Sequence, residues 1–233
     1  MKLSKKPEAA TIITGFPGFG MVGTIAAEFL IEHLKAKQIG TIIYDEIPAV
    51  VAIHQGGLHH PYGVFYDDKY KLAIIYAMTA PQGSEWKFAE VVADVARQLK
   101  AKELISLEGV GSTAEQDGSK VFYFAASAAK DKEFKKLGIE KLGEGIIMGI
   151  TSALLVKSPV PVTCIFAETH TNLPDSKAAA KLIEALDGYL DLEVDYQPLI
   201  AMAAKFEEKL KKILQQSRVA ADERDKKTLS YVG

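Results

Sequence analysis

The chain has 233 residues, of which 48% are apolar and 25% charged, and its formal net charge of −2 gives no sign of a nucleic-acid-binding protein. Its one cysteine excludes an intramolecular disulfide framework, and no apolar run reaches the roughly 18 residues of a membrane span. The first apolar stretch is too short for a signal peptide, so we expect a cytoplasmic protein without nucleic-acid or membrane partners.

The first half of the chain alternates strand-like and helix-like patterns. Apolar and β-branched runs predict strands at residues 9–15, 39–44 and 50–54, and a hairpin over 59–80. Apolar residues at helical spacing predict one helix from residue 20 and another over 85–100.

The second half continues this alternation. We predict strands at 103–107, 121–126 and 160–167, a loop at 109–120, and helices at 130–137 and from Asp175 to about residue 189. The glycine-punctuated segment 142–156 fits either type. Such an order predicts an α/β protein, a three-layer αβα sandwich with a largely parallel or mixed central sheet.

The C-terminal segment has a different pattern. Apolar positions step by four and three residues, as in a heptad seam that includes Leu199, Phe206, Leu210 and Ile213. We therefore expect an α/β domain at 1–196, a long amphipathic helix at 197–222 and a mobile tail at 223–233. The seam either packs on its own domain or meets the same helix of another subunit, as a homo-oligomer would require.

The stretch TGFPGFGMVGTIAAEFL, residues 14–30, contains the spelling Gly-x-Gly-x-x-Gly at residues 18–23. In a dinucleotide site such glycines permit a tight turn and close backbone approach to pyrophosphate, which lies at the helix N-terminus. Asp45 follows Gly23 by the roughly 20 residues expected of a ribose-binding acid. This pattern favours an enzyme that uses a nucleotide or phosphorylated ligand.

A structural role for the same turn is the alternative, and the one we expect. Phe16, Pro17 and Phe19 add bulk and rigidity where the loop would enclose phosphate. The glycines of residues 15–23 then serve close packing or positive φ. A nucleotide-sized space in front of the glycines would favour the enzyme, whereas a space filled by these three side chains would favour the structural turn.

Residues 15–34, GFPGFGMVGTIAAEFLIEHL, resemble the N-terminal signature of the proteasome assembly chaperone family, in particular its archaeal homologues. The signature is Gly-Phe-Pro-Gly-x-Gly-x-Val-Gly followed by an amphipathic helix. Looser matches follow at EIPAVV, EGVG, GIIMGITSALL and TNLPDSKAAAKLIEAL. The resemblance implies a phosphorylase/hydrolase-like α/β fold. It also implies an oligomeric, non-enzymatic protein without cofactors that binds proteasome subunits or related chaperones.

Three other groups of residues offer chemistry. His54, His59 and His60 form a histidine cluster that we interpret as a solvated loop rather than a metal site. His170 follows a strand, but its polar surroundings favour a turn that caps the next helix. Cys164 lies in an apolar run and is expected to be a buried structural thiol.

The last residues, LSYVG, offer a docking tail. Proteasome activators insert a C-terminal hydrophobic-Tyr-any tail between subunits, and the resemblance implies a similar use here. Tyr231 is third rather than second from the end, so the pattern is broken. We take Leu229, Tyr231, Val232 and Gly233 as candidate partner-binding residues, with a frayed terminus as the alternative.

Overall fold

The computed structural model describes residues 2–43, 51–54, 57–80, 83–111, 120–169, 173–198, 200–201 and 212. The strands are β1 Lys2–Leu3, β2 Thr11–Gly15, β3 Lys37–Thr41, β4 Ala52–His54, β5 Gly57–His59, β6 Tyr62–Asp67, β7 Leu72–Ala77, β8 Glu103–Gly111, β9 Val121–Ala125, β10 Glu140–Lys141 and β11 Val162–Thr169. The helices are α1 Val22–His33, α2 Glu85–Gln98, α3 Ala128–Lys136, α4 Ile150–Lys157 and α5 Ser176–Leu190.

One open mixed sheet organises the described part of the chain. Its strand order is β1-β3-β6-β7-β2-β8-β11-β9-β10, and β7, β2, β8 and β11 pair in parallel at its centre. The remaining two strands, β4 and β5, form a separate antiparallel pair. The central strands are apolar on both faces because helices cover both faces, which is the usual setting of parallel strands.

Two hydrophobic cores lie on opposite faces of the sheet. On one face α1, α3 and α5 contribute Ile25, Phe134 and Leu182, and on the other α2 and α4 contribute Phe88 and Leu154. Helix, sheet and helix therefore form three layers, and the predicted α/β sandwich with a mixed sheet is confirmed.

Several predicted elements have different bounds. The strand predicted at 39–44 is β3. It begins at Lys37, which is the first of its residues to pair with the antiparallel strand β6. The loop predicted from residue 109 is wrong in its first part, since β8 continues to Gly111 alongside β11. The ambiguous segment 142–156 is a loop followed by α4, which begins after Gly149 at a φ of 77°. Strand β1 was not predicted.

The predicted C-terminal features lie almost wholly outside the described residues. These include the seam residues Leu199, Phe206, Leu210 and Ile213 and the tail residues Leu229, Tyr231, Val232 and Gly233. The seam, the tail and the three-part division of the chain stay predictions. Of the helices that the structure describes, none combines the length and the apolar character needed to cross a membrane.

Candidate functional site

Close backbone packing explains the glycines of the turn between β2 and α1. A Cβ on Gly15 would overlap the carbonyl oxygen of Gly23, and a Cβ on Gly23 would overlap that of Leu107 on β8. Both overlaps fall well inside 3.0 Å, below which real Cβ contacts are essentially never found. Gly20 has a φ of 61°, which disfavours other residues. The close packing and positive φ predicted for these glycines are confirmed.

The turn is also fixed to the start of α5. The backbone N–H of Asp175 donates to the Gly20 carbonyl oxygen at 2.8 Å. The Asp175 carboxylate caps α5 by accepting from the N–H of Ala178 at 3.0 Å, and it accepts from the Thr169 hydroxyl at 2.8 Å. The helix start predicted at Asp175 is confirmed, because Asp175 is the N-cap of α5. The capping role predicted for the corner around His170 stays a prediction, since His170 lies outside the described residues.

A cavity of about 460 Å³ lies in front of the turn, at the carboxyl end of β8. This is the edge of a parallel sheet where ligands bind in α/β proteins. Phe16, Pro17 and Phe19 line the cavity rather than fill it. The space expected of an enzyme is therefore present. The charges and polarity of its walls determine which kind of ligand it can bind. The other walls come from the β8 end, the loop 142–149 and the first residues of α2 and α4.

The charged groups of the cavity are all acidic among the lining residues that the structure describes. They are Glu85, Glu108 and Glu144, and no Lys, Arg or His lines the cavity with them. Carboxylates repel phosphate, and phosphate sites in proteins supply basic side chains or free backbone N–H groups instead. Among the described lining residues the cavity therefore lacks the basic side chains of a phosphate site, although its size would admit a nucleotide.

Glu108 is the carboxyl group at the inner end of the cavity. Its Oε1 accepts a short hydrogen bond from the Thr151 hydroxyl, which lies 2.7 Å from the Ser106 hydroxyl. The Thr14 hydroxyl donates to Ser106 at 3.2 Å, so a buried hydroxyl chain supports the carboxyl. Burial raises the pKa of Glu108 to about 7, although the Thr151 hydrogen bond opposes the shift.

The raised pKa predicts a pH-dependent stability. The folded chain holds the Glu108 proton more tightly than the unfolded chain, so the free energy of unfolding falls as pH rises from about 4.5 to about 7. Glu108→Gln has no such proton to lose. At pH 8 we expect this variant to be more stable than the native chain by up to about 3 kcal/mol, from about 1.4 kcal/mol per pKa unit.

Urea unfolding at several pH values tests this expectation. Near pH 4.5 the Glu108→Gln and native chains should unfold alike. Glu140→Gln, which alters an exposed carboxylate on β10, should match the native chain at every pH. A Glu108→Gln effect that is the same at all pH values would contradict the raised pKa.

The histidine and cysteine candidates offer no catalytic or metal site in the described part of the chain. His60 is exposed, and the side chains of His54 and His59 lie outside the described residues. Across the described part of the chain, no group of three or more His, Cys, Asp and Glu could hold a metal ion. Cys164 is buried on β11, where burial raises its pKa to about 12, so the predicted structural thiol is confirmed.

Glu108 was missed by sequence reasoning. It belongs to the EGVG segment, which we had noted only as a loose family match. A glutamate that follows an apolar strand and precedes two glycines could have drawn attention, because that position lies at the carboxyl edge of the sheet. The exposed apolar side chains beside the cavity, Phe19, Ile146 and Met148, were also not predicted.

Comparisons with known proteins agree on family and fold. The model of the PAC2 family matches residues 12–214. An uncharacterized protein of Methanocaldococcus jannaschii is 26% identical over 212 residues, 90% of this chain and 87% of that protein. The crystal structure of Pyrococcus furiosus PbaA, an archaeal homolog of proteasome-assembly chaperone, is similar with a TM-score of 0.83 and 29% identity, over 93% of this chain and 97% of PbaA.

A second solved structure supports the fold alone. Pyrococcus furiosus PbaB, an archaeal proteasome activator, has a TM-score of 0.77 and 23% identity, over 91% of this chain and 97% of PbaB. Both structures are matched over nearly their whole length, so the α/β sandwich is shared as a unit rather than as a fragment.

Proposed function

The chain belongs to the PAC2 family, and from this premise we propose that it is a non-enzymatic, self-associating chaperone or adaptor that binds proteasome subunits or assembled particles. The observation that carries the proposal is the similarity to PbaA at 29% identity over nearly the whole of both chains.

The surface beside the cavity supports a protein-binding role. The Ile146 side chain is 92% exposed, Met148 is 72% exposed and Phe19 is 47% exposed. Exposed apolar side chains in one region are typical of surfaces that bind another protein. Flexible methionine in particular adapts to varied partner surfaces. This region is therefore a candidate contact for a second copy or for a client subunit.

The enzyme alternative requires the glycine turn to hold a phosphorylated ligand. The turn glycines instead accommodate backbone atoms of Gly23 and Leu107, and the adjoining cavity is lined by carboxylates. We therefore expect isothermal titration with ATP or NAD to give no binding heat at micromolar concentrations. Micromolar binding that Gly20→Ala abolishes without unfolding the chain would favour the enzyme.

Binding to proteasome subunits tests the proposal directly. We expect the purified chain to capture proteasome subunits of its own organism from a native extract. Deleting residues 229–233 should reduce that capture several-fold, because the Tyr231 ring and the terminal carboxylate close behind it would no longer anchor the contact. Folding and self-association should be unchanged, as circular dichroism and light scattering would record.

A matched pair of variants locates the contact within the tail. Tyr231→Ala should reproduce most of the loss, and Ser230→Ala should not. If capture persists after the deletion, the contact belongs to the globular domain, and substitutions at Ile146 and Met148 should weaken it. Absence of any proteasome subunit among the captured proteins would contradict the proposal.

A further inference from the structure

We propose that the cavity between the glycine turn and the loop 142–149 binds an ammonium group carried on an apolar stem, with the Glu108 carboxylate as its ion-pair partner. The proposal is independent of the tail and of proteasome binding. It follows from the shape of the cavity, the sign of its charges and the Glu108 Oε2 atom, to which no described residue donates a hydrogen bond.

The carboxylates set the charge of the ligand. Glu85, Glu108 and Glu144 lie on three different segments that surround the cavity, and no basic side chain lines it within the part of the chain that the structure describes. Glu85 already accepts from the N–H of Gly83 at 3.0 Å and is partly satisfied. A ligand with a positive charge would be attracted to all three groups, whereas an anion would be repelled by all three.

Glu108 is the group with an unused acceptor. Thr151 donates to Oε1, and among the described residues no donor reaches Oε2. A Cβ placed on Gly18 would lie 3.0 Å from this Oε2, so the absence of a side chain at Gly18 keeps the oxygen accessible from the turn. An ammonium group can donate to Oε2 and still leave donors for a second carboxylate.

The apolar walls of the cavity determine the chemistry of the remaining part of the ligand. Phe16, Phe166, Val110, Leu142 and Ile147 contribute apolar surface around the acidic end. A cavity of about 460 Å³ is in the range of small-molecule sites, in which a few polar groups orient a mostly apolar ligand. A linear chain of several methylenes between the ammonium group and the rim would fit this pattern. A free alkylamine and the lysine side chain of a partner protein share that chemistry.

The pH dependence of binding follows from the groups that face Glu108. Its raised pKa of about 7 means that the carboxyl is partly protonated at neutral pH. Cys164 on β11 faces it with a pKa of about 12 and stays neutral, Thr151 on α4 does not titrate, and Glu85 and Glu144 share the cavity. An alkylammonium group keeps its proton below about pH 9. Affinity should therefore rise with pH through about 7 as Glu108 ionises.

Isothermal titration of the full chain with hexylamine, hexanol and hexanoate tests the proposal. The three probes share one stem and differ in charge. We expect hexylamine to bind at least tenfold more tightly than hexanol, and hexanoate to bind more weakly than either. Hexylamine affinity should rise between pH 6 and pH 8. An acetylated and amidated Leu-Lys-Leu peptide distinguishes the source: binding of the peptide but not hexylamine indicates a partner's lysine, and the reverse indicates a free amine.

Two variants place the ligand at Glu108. Glu108→Gln should weaken hexylamine about tenfold or more and remove the pH dependence, and the exposed-site control Glu140→Gln should change neither. Gly18→Ala, at a φ of −152° that alanine adopts readily, should weaken binding because its methyl group crowds Oε2. If Glu108→Gln does not fold, hexylamine binding by Gly18→Ala tests the proposal in its place. Detectable hexanol binding that is as tight as hexylamine binding, or binding of neither hexylamine nor the lysine peptide, would overturn the proposal.

Discussion

Gly23→Ala is expected to destabilise the fold by about 3 kcal/mol or more, because overpacking against rigid backbone is at the costly end of small-to-large substitutions. The new methyl group would overlap the carbonyl oxygen of Leu107. That oxygen cannot withdraw easily, since β8 pairs with β2 on one side and β11 on the other. The first turn of α1 would have to move away from the sheet.

Gly143→Ala is the matched control for this prediction. A Cβ at Gly143 has open space around it, with no heavy atom of the described residues within 4 Å. Its midpoint of urea unfolding should equal that of the native chain, while Gly23→Ala should unfold at much lower urea or fail to accumulate. Equal stability of the two variants would show that the glycine turn does not pack as described.

Phe134→Ala is expected to cost about 3–5 kcal/mol, as is typical when a buried aromatic ring is removed. Phe134 on α3 is fully buried, and its ring stacks between Tyr123 and Tyr189 at centroid distances of 4.6 and 4.7 Å. The Tyr189 hydroxyl donates to Glu103 at 2.9 Å, and Lys130 lies 3.0 Å from the same carboxylate. Loss of the ring would therefore also loosen a partly buried ion pair.

Leu137→Ala provides the comparison at the end of the same helix. Leu137 is 40% exposed, so its truncation should cost under about 1.5 kcal/mol, since only part of its apolar area is buried. Thermal unfolding separates the two variants, because each kcal/mol shifts the melting temperature by roughly 2–4 °C in a chain of this size. A small shift for Phe134→Ala would mean that α3 contributes little to the core.

The order of strands and helices was predictable from sequence wherever a local pattern is compatible with only one type of element. The hairpin of β6 and β7 follows from two β-branched and aromatic runs on either side of a polar turn, and α5 follows from the Asp175 cap. Both signals are local, so they need no knowledge of the packed structure.

The predicted loop was wrong where a glycine can either end a strand or allow close packing within one. The segment after Leu107 contains Gly109 and Gly111, which indicate a loop when seen alone. In the structure β8 continues through them, and a Cβ on Gly109 would overlap the Phe19 carbonyl oxygen of the turn. The glycine there permits a close approach of two backbone segments within a strand, which depends on tertiary packing.

The same ambiguity explains the dinucleotide-like spelling. A turn that packs tightly between a strand and a helix needs glycines at much the same spacing as a turn that packs against pyrophosphate. Sequence alone could not separate the two, because the atom that occupies the space is a carbonyl oxygen from β8 in one case and a ligand in the other. The acidic cavity likewise required the fold, since its three carboxylates come from distant parts of the chain.

Native mass spectrometry of the purified chain mixed with purified proteasome subunits, with and without ATP, tests the central claim most directly. We predict a defined complex with at least one subunit, at the same occupancy in both conditions. The free chain should also be present as a homo-oligomer. A monomeric chain that binds no subunit, or a complex that forms only with ATP, would contradict the account of a nucleotide-independent chaperone or adaptor.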